Sequence, residues 1–425
     1  MKAKMTGPTL AEAIRVWWRI GILSFGGPAA QIALMHKEIV ESRGWLTERQ
    51  YLNALSFCML LPGPEAMQLA TYAGWRLHGL WGGLIAGLLF VLPGAAVIMV
   101  LATIYSLYGS VPLVEALFYG LKAAVLVIVV EALLRVSKKA LRERAHWAIA
   151  VLAFIGIFLF SVPYPVIVIA AAVIGALAYS SNDEGTSDDA LPVSIKSTAT
   201  TVIIWLAIWF APLLALSAMG APELLISVGR FFSTLAVVTF GGAYAVLAYM
   251  AQDAVTGFGW LTAGEMIDAL GLAETTPGPL ILVTQFVGFL AGFKEGGLAL
   301  GLAASLVVLW VTFAPCFLWI FAGAPYIDWI SNQPRLRDAL SGITAAVVGV
   351  ILNLSLWFAL HVLFSEVSQK KLGPLTLWQP ALTSIEWLAI GLFALSAFLA
   401  FKLHWSIIRI LLVASLLGAI IRVMM

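Results

Sequence analysis

Hydrophobic positions along this chain gather in long blocks. Apolar stretches recur at 84–105, 123–134 with its flanks, 147–162, 166–179, 201–218, 298–321, 343–363, 387–401 and 407–423. Blocks of this kind suit helices that cross a bilayer core about 30 Å thick. Two regions break the pattern. A helix leads to Ser24, breaks at Gly26-Gly27-Pro28 and resumes towards Glu41. A second starts near Thr47, where Thr47-Glu48-Arg49-Gln50 fits a capping box. It breaks at Pro62-Gly63-Pro64 and resumes to about Leu77.

Both breaks occur twice. Phe25-Gly26-Gly27 returns as Phe240-Gly241-Gly242, Gly44-Trp45-Leu46-Thr47 as Gly259-Trp260-Leu261-Thr262, and Leu61-Pro62-Gly63-Pro64 as Thr276-Pro277-Gly278-Pro279. The separation is 215 each time (240 − 25, 260 − 45, 277 − 62), and 16 of the 40 positions from Phe25 to Pro64 are identical. Later parts align at 222 (315 − 93, 342 − 120), so copy two should be about seven residues longer somewhere between Gly83 and Pro315. Duplicated, interrupted apolar helices are the sequence pointer to a secondary transporter, in which unwound helix ends form the substrate site.

The domain reading follows from the repeat: a first repeat over 1–180, a polar acidic linker over 181–197, a connecting transmembrane helix over 198–218 and a second repeat over 221–425. Charge sets the topology. Arg135, Lys138, Lys139, Arg142 and Arg144 form a dense basic loop, expected in the cytoplasm. Counting outwards, the N-terminal region with Lys2, Lys4, Arg15, Lys37, Arg43, Arg49 and Arg76 is also inside, as is the linker. The single crossing at 198–218 then inverts copy two. Its matching loops have lost charge: Lys37 becomes Gln252, Arg43 becomes Phe258 and Arg49 becomes Gly264. Lys370-Lys371 would fall outside and count against this orientation. The expected fold is an all-α polytopic membrane protein. It has two inverted-topology repeats with broken re-entrant half-helices, joined by an extra transmembrane helix; a parallel duplication is the alternative.

Composition narrows the function. The chain has 425 residues, is 62% hydrophobic and 11% charged, and has mean hydropathy +1.00. It shows no Walker A, HExxH, GxSxG or dinucleotide fingerprint, which argues against an ATP-driven pump or a hydrolase. A lipid-phosphate enzyme would need an acidic metal-binding cluster at a span. The acidic cluster Asp183-Glu184 with Asp188-Asp189 lies in the linker instead. Cys58 and Cys316 have no metal or disulfide spacing and read as small core residues. No cofactor and no metal is expected. Residues 1–20 do not read as a cleavable signal peptide.

A Pro-Gly-Pro at membrane depth leaves backbone groups that hydrocarbon cannot satisfy, so it survives only inside protein or beside a polar cavity. The helix starts that follow offer free N–H groups and a positive dipole end, which suits an oxyanion. Four such starts, at Pro28, Pro64, Ala243 and Pro279, would sum to about +2 if they converged. The alternative is kinked packing helices without a ligand. Candidate substrate residues are Ser24, Gly26, Gly27, Pro28, Gln31, Asn53, Pro62, Gly63, Pro64 and Gln68 in copy one. In copy two they are Thr239, Gly241, Gly242, Thr275, Thr276, Pro277, Gly278, Pro279 and Thr284, with Asp268 and Gln285 nearby. Glu65, aligned with Leu280, and Glu274, aligned with Met59, are candidate proton carriers. Glu65 reads equally as a helix N-terminal charge. Lys122, aligned with Thr344, either attracts the anion within its span or snorkels to the interface. Glu131 and Arg135 should pair at i, i+4.

These motifs, with Gln68-Leu69-Ala70-Thr71-Tyr72-Ala73-Gly74-Trp75, resemble the long-chain, two-domain members of the chromate ion transporter family. The likeness covers nearly the whole chain. It implies a bacterial or archaeal inner-membrane protein that exports chromate and confers resistance to it; the charge count puts the N-terminus in the cytoplasm. Alternating access would run on the membrane potential or the proton motive force. A sulfate or other oxyanion carrier, or a passive anion channel, is the alternative. Partners expected are the oxyanion and the bilayer, with no nucleic acid and a homodimer left open.

Overall fold

The computed structural model describes residues 8–109, 111–178, 195–240, 243–331 and 333–424. Gly241 and Gly242 of the expected site, Lys2, Lys4 and residues 181–194 of the expected linker lie outside the described residues.

Copy one opens with α1 (Leu10–Leu23), α2 (Gly27–His36) and α3 (Glu48–Leu60), then α4 (Glu65–Tyr108), α5 (Pro112–Ala140), α6 (Arg144–Phe158) and α7 (Tyr164–Ala178). The connector is α8 (Ile195–Ala218). Copy two repeats the order with α9 (Glu223–Val238), α10 (Ala243–Gln252), α11 (Ala263–Thr275) and α12 (Val283–Gly323). The short α13 (Ile327–Ser331) and α14 (Pro334–Leu363) follow. Next come strands β1 (Val367–Leu372) and β2 (Leu375–Pro380), then α15 (Trp387–Phe401) and α16 (Ile407–Met424). Among the described residues, five helical stretches are long and apolar enough to cross a membrane: Glu65–Tyr108, Pro112–Ala140, Lys196–Ala218, Leu280–Tyr326 and Pro334–Leu363. The chain is an all-α polytopic membrane protein. The two strands are a local exception: an antiparallel hairpin whose turn places Gly373 at φ 60°, a conformation glycine adopts without strain.

Local signals act as the residues dictate. Thr47 and Gln50 close the expected capping box at the head of α3, with Thr47 N–H donating to Gln50 Oε1 at 3.0 Å. Glu131 and Arg135 pair one turn apart at 2.5 Å. The breaks fall where glycines take positive φ: Gly26 84°, Gly27 76°, Gly63 116° and Gly278 88°.

Helix α4 is two helices. Non-helical dihedrals at His78 and Gly79 interrupt it. A Cβ on Gly74 would stand 2.3 Å from the Gly82 carbonyl oxygen, so the chain doubles back there. Helix α12 repeats this at Gly296 and Gly297, where Gly292 meets the Leu300 carbonyl. These pairs are 218 apart (296 − 78, 297 − 79, 292 − 74). The expected seven extra residues therefore come in two pieces. Three lie before Gly297, as a single 3₁₀ turn, Leu280–Leu282, inserted ahead of α12. The other four lie beyond it. Glu65 consequently heads α4 as Val283 heads α12, rather than matching Leu280.

The chain forms two compact units. The first comprises Met1–Val100, Asn182–Gly242 and Thr276–Pro334; the second Leu101–Ser181, Ala243–Thr275 and Arg335–Met425. Trp17, Tyr51, Phe57, Phe90, Phe232, Phe286 and Phe289 are buried in the first. In the second, small residues let helices touch: a Cβ on Gly120 of α5 would meet the Ala414 carbonyl of α16 at 1.9 Å.

Candidate functional site

Each Pro-Gly-Pro turn meets the residue just before the Phe-Gly-Gly motif of the opposite copy, within the first unit. Gly63 N–H donates to the Thr239 carbonyl at 2.8 Å, and Gly278 N–H donates to the Ser24 carbonyl at 2.8 Å. The bonds are reciprocal, since 239 − 24 and 278 − 63 both equal 215. Residue i meeting j while j meets i is the mark of a two-fold relation. The approach segments match as well. Phe25 N–H reaches Leu23 O at 2.9 Å and Phe240 N–H reaches Val238 O at 3.0 Å. Ser24 Oγ donates to Ile20 O and Thr239 Oγ1 to Leu235 O, at 2.6 and 2.5 Å.

Each turn is also backed by the long helix of the other copy. Gly278 lies against Gly94 of α4, and a Cβ on Gly94 would stand 2.2 Å from the Pro277 carbonyl oxygen. Gly63 lies against Cys316 Sγ of α12, 3.1 Å from its own would-be Cβ. Gly94 and Cys316 correspond at 222 (316 − 94), each just after an in-helix proline, Pro93 or Pro315. Sequence reasoning aligned the prolines without placing the residues after them at the site. The 222 register carried that signal. Both cysteines are buried and free, as expected of small core residues.

The polar side chains expected around the breaks mostly serve the backbone. Gln31 Nε2 donates to the carbonyls of Ser24 (3.2 Å) and Gly278 (2.7 Å), and Gln68 Nε2 to Pro62 O at 2.7 Å. Gln285 Nε2 donates to Ala95 O at 3.0 Å. Thr275 Oγ1 bonds Leu272 O and Thr284 Oγ1 bonds Ile281 O. These donors satisfy carbonyls that the breaks release, as a buried interruption requires. The amide oxygens of Gln31, Gln68 and Gln285 are buried without a partner. Pro28 is in the first turn of α2, Pro64 immediately precedes α4, and Thr276, Pro277 and Pro279 complete the second turn in the first unit. Glu65 is the first residue of α4, and Asn53 is exposed on α3.

Other expected residues belong to the second unit. Lys122 Nζ stands 3.4 Å from Asp268 Oδ2, which also accepts Tyr105 O–H at 2.8 Å. Asp268 is 3% exposed and its Oδ1 has no partner. Gly264 makes room: a Cβ there would sit 3.0 Å from Lys122 Nζ. Glu274 accepts Tyr244 O–H at 2.7 Å. Lys122 thus answers a carboxylate 146 residues away (268 − 122), a pairing that spacing does not reveal. Among the described residues no cluster of three or more His, Cys, Asp or Glu could hold a metal.

Broken, duplicated helices with reciprocally bonded turns define a multi-pass membrane transport protein. The model of the chromate transporter family matches the chain twice, over residues 11–176 and 226–420, and the chain belongs to that family. Among its relatives is a chromate transport protein of Pseudomonas aeruginosa, 30% identical over 411 residues, covering 94% of this chain and 89% of the relative. A chromate transport protein of Cupriavidus metallidurans is 29% identical over 347 residues, 81% of each chain. An uncharacterised transporter of Methanocaldococcus jannaschii is 25% identical over 363 residues, 84% of this chain and 87% of the relative. No solved structure matches the chain.

Proposed function

We propose that the protein exports chromate, or a similar tetrahedral dianion such as sulfate, across the inner membrane by alternating access around the two interlocked turns. The reciprocal bonds Gly63–Thr239 and Gly278–Ser24 carry the proposal, because they join both broken segments of both copies in one element. Backbone N–H groups at the starts of α2, α4 and α12 are the donors for the anion, each start worth roughly +0.5 of charge. The glutamine and hydroxyl side chains hold the unwound backbone in shape. Relatives named as chromate transport proteins support the substrate.

Two observations favour the inverted topology. Charge is lost from the first interrupted pair of copy two, as above. In the second unit, Thr376 N–H of the hairpin donates to Leu159 O at 2.7 Å, and Ser161 Oγ to Thr376 Oγ1 at 3.2 Å. The turn after α6 and the segment between α14 and α15 therefore share one end of that unit; counting spans from the basic loop at 135–144 puts that end outside, with Lys370 and Lys371 as the charges that count against it. Lys370 and Lys371 are exposed on this hairpin.

Direction follows from electrostatics. A dianion leaving an inside-negative cell gains about 4.6 kcal/mol at 100 mV, two charges at ~2.3 each. Chromate uptake into inverted vesicles, with sulfate as competitor and the potential clamped, tests this. Saturable, potential-driven uptake is expected. Flux proportional to concentration, without counterflow, would replace the carrier with a channel. Uptake of sulfate but not chromate would reassign the substrate.

A further inference from the structure

Helices α8 and α9 enclose a cleft of about 580 Å³ within the first unit, lined by Trp209, Leu213 and Ser217 on one side and Arg230, Ser233 and Thr234 on the other. Its remaining walls are apolar and none of its lining residues is acidic. Only 11% of the α8 span is buried, so this side of the unit faces lipid. Arg230 lies seven residues into α9, about 10 Å along the helix. Among the described residues it has no carboxylate partner. Beside it, Trp209 Nε1 and Ser233 Oγ are buried and unpartnered. An exposed arginine in the middle of an otherwise apolar helix favours a counter-charge, and two idle donors beside it in the cleft point to an anionic oxygen ligand.

The repeat sharpens the case. Arg15, Arg19, Lys37, Arg43 and Arg49 have counterparts at 215 of Arg230, Thr234, Gln252, Phe258 and Gly264. Only Arg230 keeps its charge. It is also the position that faces α8, the helix without a counterpart in copy one. We infer that this cleft is a binding site for one anionic phospholipid. The phosphate would bond Arg230 and the hydroxyl and indole donors, and an acyl chain would lie along Leu213 and Leu214.

Full-length protein in detergent, titrated with phosphatidylglycerol or phosphatidylcholine and followed by native mass spectrometry, tests the site. Wild type is expected to retain one phosphatidylglycerol at least tenfold more tightly than phosphatidylcholine. Arg230→Gln should lose that preference. Arg15→Gln, which removes the matched charge on α1, should keep it. Leu214→Trp narrows the cleft without altering charge and should weaken retention several-fold, which keeps the test open if Arg230→Gln does not insert. Equal retention of both lipids by wild type, or unchanged retention in Arg230→Gln, overturns the inference. A wild type protected equally by inorganic phosphate alone would make the site one for free anions and overturn the lipid assignment.

Discussion

The two copies of the repeat agree in backbone and part company in side chains. In both copies the glycine N–H of the Pro-Gly-Pro turn bonds the matching approach carbonyl of the opposite copy. Yet Cys316 backs one turn where Gly94 backs the other, and Asn53 on α3 corresponds to Asp268 on α11 (268 − 53 = 215). Their packing differs too: α2 and α3 belong to the first unit, whereas α10 and α11 belong to the second. If the turns hold an anion as proposed, backbone geometry is what both copies must share. Side-chain asymmetry is what allows one copy to behave differently from the other.

The largest effects should come from what the copies share. Gly63→Ala and Gly278→Ala each force a residue with Cβ into positive φ, a strain of about 1–3 kcal/mol at the proposed site. Both are expected to cut chromate flux in proteoliposomes by about 100-fold, near 2.8 kcal/mol at ~1.4 per tenfold. A loss confined to one of them would break the equivalence of the turns.

The charged pair comes next. Lys122→Gln leaves Asp268 buried with Tyr105 as its hydrogen-bond donor. Removing one member of a buried pair costs about 3–5 kcal/mol, reduced here to roughly 1–3 because Lys122 is 29% exposed. Thermal unfolding in detergent should show the loss, and Lys122→Gln with Asp268→Asn should recover most of it. Asn53→Asp at the exposed counterpart should change stability by less than about 0.5 kcal/mol.

Gly94→Ala drives a methyl into the Pro277 carbonyl and should destabilise by about 1–3 kcal/mol. Its counterpart Cys316→Ala removes only a sulfur and should cost about 1 kcal/mol or less, the smallest of these effects. Equal losses at both positions, read in the same melts, would show that the two backings are not distinct.

Much of this was legible in residues alone. The breaks, their spacing, the capping box at Thr47 and the Glu131–Arg135 pair are local and rest on short-range chemistry. The 3₁₀ turn Leu280–Leu282 was not, because a three-residue insertion followed further along by a four-residue one reads as a single gap. The aim of Gln31 and Gln68 was not legible either: an amide suits a freed carbonyl as well as an oxyanion, and only coordinates tell which it meets. Arg230 escaped notice because it sits in an apolar helix, although its match to Arg15 at 215 was available. The Lys122–Asp268 pair joins residues that no local rule connects.

The reciprocal bonds also bear on ancestry. A lone copy carries a turn whose glycine N–H finds its acceptor in another copy, so a single repeat cannot finish its own fold. Chains half this long would have to work as pairs, in opposite orientations if the topology is inverted. With inverted topology, joining two such genes would require one added crossing, a role α8 is long and apolar enough to fill. Expressing residues 1–180 and 195–425 as separate polypeptides should therefore rebuild a working carrier, with neither fragment accumulating alone.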